Sequence, residues 1–255
     1  MPSIPESLRA LLANLIDYAG LYPPAALSLR EVGEKYDAYR RSPESWMLNR
    51  LVLPASRLTE AEVCEEWRVT LLVDEEPGPL PPQVETLETK LAHRLSLPTY
   101  CETSLDRVTD AFAKVRTGGL TPEAIPAPAA LADFLHRAAA RRVPFKATAG
   151  LHHPIRSLRP LTYAADSPRA VMHGFVNVFT AAAFAWYGQE REVLAAILEE
   201  EDPRAFEFAE NELRWRGQRL SSRQIAAARD EFAHSFGSCS FEEPPADLRE
   251  LGWLP

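Results

Sequence analysis

Residues 111–150 read AFAKVRTGGLTPEAIPAPAALADFLHRAAARRVPFKATAG. The stretch divides into three parts. AFAKVRTG (111–118) has the pattern of a short strand closed by a Gly-Gly turn, Ala129 to Ala140 reads as a helix, and VPFKATAG (143–150) is a second strand pattern closed by glycine. Strand, helix and strand in that order make a unit whose two strands pair in parallel.

The same pattern extends in both directions. Strand-like runs occur at 48–55, 67–74, 84–91 and 98–105 before this stretch, and at 205–211 and 235–241 after it. Helical segments run from Ala170 to Tyr187, Glu190 to Glu199, Ser221 to His234 and Pro245 to Leu251. Eight strands in 255 residues suit an α/β fold, an irregular (β/α)8 TIM-like barrel. Irregularity is expected because three consecutive early links are too short for a full helix. The rival, a doubly wound sheet, lacks a GxGxxG turn after its first strand.

The first 46 residues read as helical. Leu8, Leu11, Leu12, Leu15 and Ile16 form an i, i+3, i+4, i+7, i+8 stripe from Ser7 to Tyr18, and Ser28 with Glu31 makes a capping box for a helix to Arg40. The expectation is one domain, 1–255, with N-terminal helices over 1–46 and the barrel over 47–255.

Formal net charge is -8 and the basic residues are scattered, so no nucleic-acid footprint is expected. The N-terminus lacks the basic start and apolar run of a signal peptide, and the most apolar stretch, Gly174 to Tyr187, is too short to span a bilayer. Three cysteines at unrelated spacings (Cys64, Cys101, Cys239) fit reduced thiols and a cytoplasmic location. Of 28 basic residues only Lys35, Lys90, Lys114 and Lys146 are lysine. Lysine can lose its proton when buried and arginine cannot, so a lysine in this chain draws attention as a chemical group.

Barrel enzymes carry their reactive groups at the C-terminal ends of strands, and alternate residues share a face. Tyr100 and Glu102 then share one face, Lys114 and Arg116 another, and Lys146 and Thr148 a third, with apolar neighbours opposite. This places Glu102, Lys114, Arg116, Lys146 and Thr148 at the barrel mouth. Their surplus positive charge calls for a small anionic substrate. Arg116, Thr117, Gly118 and Gly119 offer a turn whose backbone amides can approach an anion, and Ser238 in GSCS (237–240) has similar character. His152 and His153 follow a strand directly; His152 is assigned acid–base work and His153 substrate contact. His173 and Asn177 would share a helix face. Asp17 and Tyr18 would end the first helix before a turn, either reaching the site from below or capping the helix. No cofactor, no metal and no membrane partner is expected, and the oligomeric state is open.

Two segments, FAKVRTGG and PFKATAGLHHP, resemble the paired strand-end lysine motifs of deoxyribose-phosphate aldolase and related class I aldolases. The likeness covers about 40 residues, and the chain as a whole looks bacterial. The second motif continues Ala-Thr-Ala-Gly where the family has a double glycine, and Glu102 stands in for the family's aspartate. The resemblance implies a TIM barrel, a Schiff-base lysine whose pKa a second lysine depresses, and phosphate held by backbone amides. On this reading Lys146 is the iminium lysine and Lys114 tunes it, or the two are exchanged. The expected function is an aldolase-like lyase acting on a small oxo-acid or sugar phosphate. The alternatives are a metal-assisted isomerase or hydrolase using His152, His153 and Glu102, and a non-catalytic binder of an anionic metabolite. A Cys239 nucleophile would be served by His234.

Overall fold

The computed structural model describes residues 3–61, 65–91 and 95–255. In chain order the strands are β1 (Ile16–Tyr18), β2 (Leu48–Pro54), β3 (Val69–Val73), β4 (Val84–Thr89), β5 (Thr99–Glu102), β6 (Phe112–Arg116), β7 (Phe145–Thr148), β8 (Ser157–Pro160), β9 (Arg169–Met172), β10 (Phe206–Phe208), β11 (Glu212–Trp215), β12 (Gln218–Ser221) and β13 (Ala233–Ser238). The helices are α1 (Glu6–Leu12), α2 (Leu29–Arg40), α3 (Pro128–Ala140), α4 (Phe175–Trp186), α5 (Arg191–Glu199), α6 (Ser222–Glu231) and α7 (Glu243–Glu250). Strands β1 to β7 and β13 close into an eight-stranded barrel in which every neighbouring pair is parallel. The fold is a (β/α)8 TIM-like barrel. Strands β8–β9 and β10–β12 form two small antiparallel sheets beside it.

The eight barrel strands differ from expectation by one exchange. The run at 205–211 lies in the outer three-stranded sheet. Its place in the barrel belongs to β1, inside the segment 1–46 expected to be helical. Helix α1 stops at Leu12, Ala13 turns to extended ψ, and Asn14 takes a positive φ of 48°, which asparagine tolerates better than most residues. From there the backbone joins the ladder: Leu15 N–H donates to Met47 O, and Phe236 N–H donates to Leu15 O. Leu15 and Ile16 continue the apolar stripe because both are fully buried, but Leu15 leads into a strand and Ile16 begins it. A strand covered on both sides has no alternation, so its apolar residues merge with those of the preceding helix. The division at residue 46 is therefore corrected: the barrel begins at Ile16.

Helix α4 is buried along its whole length, from Phe175 to Trp186. Phe175 stacks on Phe236 of β13 and Phe179 on Phe145 of β7, with ring centroids 5.4 and 6.2 Å apart. Helices α3, α5 and α6 pack on its other sides. The apolar run expected to be helical from Ala170 begins as strand β9, and His173 precedes the helix. Asn177 does lie in α4, where its side chain accepts from Arg156 N–H and donates to the carbonyls of Ile197 and Glu200. His173 instead faces the carbonyl of Pro126. These two residues tie loops to the helix and do not line a shared pocket.

The short links are borne out. Among the described residues no α-helix lies between β3 and β6. Leu80, Leu95, Leu97, Leu105 and Val108, all on connecting loops, pack against the core there. On the opposite side the buried Arg229 of α6 donates to the carbonyls of Ala233, His234 and Leu11. It binds α6, β13 and α1 together at the N-terminal end of the barrel.

His234 lies at that same end, its Nδ1 2.7 Å from the Tyr100 hydroxyl and its Nε2 3.2 Å from the carbonyl of Asp230. Burial first, then the nearby Arg229 guanidinium, push its pKa down to about 4. The folded protein thus keeps His234 neutral while the unfolded chain takes up a proton below its ordinary value near 6.5. Stability is lost as pH falls from 6.5 toward 4. Urea unfolding across that window is expected to show a His234→Gln variant losing about 2–3 kcal/mol less than the parent protein.

Candidate active site

At the C-terminal end of the barrel a cavity of about 460 Å³ opens to solvent. Strand alternation accounts for its wall: Val52, Leu72, Glu88, Glu102, Lys114, Thr148 and Gly237 are inward-facing residues of successive strands. The loop after β1 adds Tyr22, Pro23 and Pro24, and the loop after β7 adds Gly150 and His152.

The floor is a buried charge cluster. Glu88 on β4 is 3% exposed and shares its two carboxylate oxygens between two lysines. One oxygen contacts Lys146 Nζ, and the other is 2.6 Å from Lys114 Nζ. Lys146 Nζ also lies 2.5 Å from Asp17 Oδ2 on β1. Asp17 in turn accepts from Ser235 Oγ at 2.7 Å, Asn49 Nδ2 at 2.7 Å and Arg50 N–H at 3.2 Å. Burial disfavours charge on every member, yet the mutual contacts outweigh it. The Asp17 and Glu88 carboxyls are held below the usual range chiefly by the Lys146 ammonium, and Lys146 is raised above its ordinary value by the two carboxylates.

This outcome reverses one expectation. Lys146 was expected to be a free amine with a depressed pKa, but it is locked as an ammonium and is 1% exposed. Lys114 lines the cavity with its ammonium 3.9 Å from Glu102, which also pairs with Arg116 at 3.1 Å. The expected surplus of positive charge is reduced too, because Asp17 and Glu88 balance most of it. Around the cavity Lys90, Lys114, Arg116 and Lys146 face Asp17, Glu88 and Glu102, leaving one excess cation among the described residues. Lys90 and Arg116 carry the exposed positive charge at the mouth.

The remaining sequence-derived residues divide by location. Gly119, Thr148 and His152 line the cavity. Thr117 is buried, with its hydroxyl 2.7 Å from the carbonyl of Ala149, and stitches the loops after β6 and β7 together. Gly118 serves the same junction: a Cβ there would sit 2.9 Å from Gly150 Cα. Ser238 is buried and donates to the carbonyl of Ser240. His153 turns away to Asp247 of α7, at 2.5 Å, while His152 faces Glu243 at 2.8 Å. The His152, His153 and Glu102 set proposed for a metal is thus split among separate partners. Among the described residues no cluster of three or more His, Cys, Asp or Glu side chains is arranged to hold a metal ion. No described helix is long and apolar enough to cross a membrane.

Two groups escaped the sequence reading, and a third, Asp17, was singled out at a helix end with its reach into the site from below left open; it makes that reach from a strand. Glu88 was recoverable, since Leu87 packs outward in VETLETKL and alternation then turns Glu88 inward. Tyr22 came from a segment read only as a turn; its hydroxyl is buried, has no hydrogen-bond partner among the described residues and lines the cavity.

Comparison with models of protein families, with curated proteins and with solved structures finds no match to this chain.

The cluster predicts strong coupling between its members. Asp17→Asn leaves Lys146 with one carboxylate and is expected to cost about 3–5 kcal/mol, as for other buried pairs broken on one side. Adding Lys146→Met is expected to recover part of that loss. Chemical denaturation of both single variants and the double variant measures the coupling directly.

Proposed function

We propose that the protein is a carbon–carbon lyase of class I aldolase type, acting on a small carbonyl substrate through an iminium on Lys114. One observation carries this reading: two lysines on adjacent strands share a single buried carboxylate, and only Lys114 also lines the cavity. A carbonyl compound entering from the mouth meets the Lys114 nitrogen. It cannot reach Lys146, which lies among Asp17, Glu88 and Ser235.

Iminium formation needs an unprotonated amine and then a route for protons. Glu88 and Glu102 are the carboxylates within 4 Å of the Lys114 nitrogen, and Glu102, which lies away from Lys146, is the one suited to accept its proton. The carbinolamine oxygen must leave as water, and the unpartnered Tyr22 hydroxyl is a donor available within the cavity. Once formed, the iminium is an electron sink that stabilises the carbanion left by cleavage of a carbon–carbon bond in the substrate. The Lys146 ammonium keeps Glu88 ionised throughout, so the cluster does not lose its negative charge as the substrate binds. Lys90 and Arg116 at the mouth suit a carboxylate or phosphate on the substrate's distal end. The roles of the lysines are therefore exchanged relative to the expectation that favoured Lys146. Glu102 keeps an acid–base role.

Borohydride reduction in the presence of small aldehydes, oxo-acids and sugar phosphates tests the reading. An adduct is expected on the Lys114 peptide by mass mapping, absent from Lys114→Arg. Lys146→Met is expected to slow trapping at least tenfold while leaving Lys114 as the modified site. An adduct confined to Lys35 or Lys90, or none across the panel, overturns the proposal.

A further inference from the structure

The lysine chemistry leaves unused a second group of reactive side chains on the same cavity wall. Cys239 follows β13, and its sulfur lies 4.0 Å from His152 Nε2 and 3.8 Å from the Tyr163 hydroxyl. His152 Nδ1 is 2.8 Å from Glu243 Oε2. The arrangement is thus a nucleophile, a base beside it and a carboxylate that orients the base. Sequence reading paired Cys239 with His234, but His234 sits at the other end of the barrel on Tyr100.

Charge follows the geometry. Burial opposes ionisation of both partners, but their contact prevails: the Cys239 thiol is held below its ordinary value and His152 is pushed up to about 9, helped by Glu243. The other titratable groups around them are Tyr163 on the β8–β9 loop, His153 paired to Asp247 of α7, and Arg159 on β8, which lines a side cavity of about 150 Å³ shared with His152 and Glu243. The contact between sulfur and imidazole, 4.0 Å apart, favours the thiolate–imidazolium form of the pair.

We propose that Cys239, His152 and Glu243 form a second covalent centre whose substrate is a small hydroperoxide. Addition of the sulfur to a carbonyl would place negative charge on oxygen and require backbone donors aimed at that oxygen. A peroxide requires only the thiolate and a proton donor for the departing oxygen, and His152 supplies that proton within 4 Å of the sulfur. In the step the sulfur lone pair attacks one peroxide oxygen and the O–O bond breaks. The departing oxygen takes the His152 proton and leaves as water or an alcohol. Cys239 is oxidised to a sulfenic acid, the peroxide is reduced, and His152 ends neutral.

The test uses the full chain and two probes. Iodoacetamide labelling is followed against pH; both thiols are buried, but Cys239 lines the cavity and Cys101 does not, so Cys101 serves as the internal reference. Hydrogen peroxide is then applied with a cyclic 1,3-diketone that traps sulfenic acid. Labelling of Cys239 is expected to show a midpoint below the ordinary thiol value of about 8.5. His152→Gln is expected to slow it at least tenfold at pH 6.5, and Glu243→Gln about threefold, the latter residue lying on the partly exposed start of α7. The diketone adduct should map to Cys239 and vanish in Cys239→Ser. Labelling only after denaturation, equal rates in both variants, or rapid alkylation without a sulfenate adduct would each overturn the proposal.

Discussion

The barrel's C-terminal end depends on one contact, the Lys146 ammonium held between Asp17 and Glu88. A lone ammonium at this depth would be driven to lose its proton by burial. Two carboxylates from opposite parts of the barrel prevent this. Their own charges are satisfied in turn by Lys114, Ser235, Asn49 and the Arg50 amide. The cluster therefore spans β1, β2, β4, β6, β7 and β13. Such a network adds less to stability than its short distances suggest, because desolvation cancels much of the attraction. Its stronger effect is geometric, since each partner can ionise only while the others stay in place.

That constraint divides labour between two residues of the same type. Lys146 sits low enough to meet Asp17 and is closed off from the cavity. Lys114, on the next strand, reaches Glu88 from above and keeps one side open. Their backbones are direct partners in the β6–β7 register, so the difference comes from what surrounds each side chain. Gly118 and Gly150 reinforce it by letting the two following loops approach backbone to backbone.

The parallel barrel was legible because strands β2 to β7 alternate with turns and helices that keep their periodicity. The inward face of β5, β6 and β7 was legible for the same reason: Cys101, Val115 and Ala147 pack outward and turn Glu102, Lys114 and Thr148 inward. Reading failed where burial erased the period. In Leu8 to Ile16 the helix and strand are both apolar and run together, so Asp17 was assigned to a helix end. In β4 the period was present and would have exposed Glu88. The electrostatic conclusion drawn without those two carboxylates was consequently inverted for Lys146. Contacts such as Cys239 with His152, 87 residues apart, have no local signature at all.

The seam between β1 and β13 joins Ile16 to Phe236 and Tyr18 to Ser238. Asp17 and Ser235 are 218 residues apart in the chain and touch inside this seam. During synthesis β1 emerges early and must wait for almost the whole barrel before its second neighbour exists. Until then Asp17 has no Ser235, and Lys146 enters a cylinder that is still open along one side. The charged floor is thus completed by the last barrel strand to appear, and the cavity above it takes its final form only at ring closure.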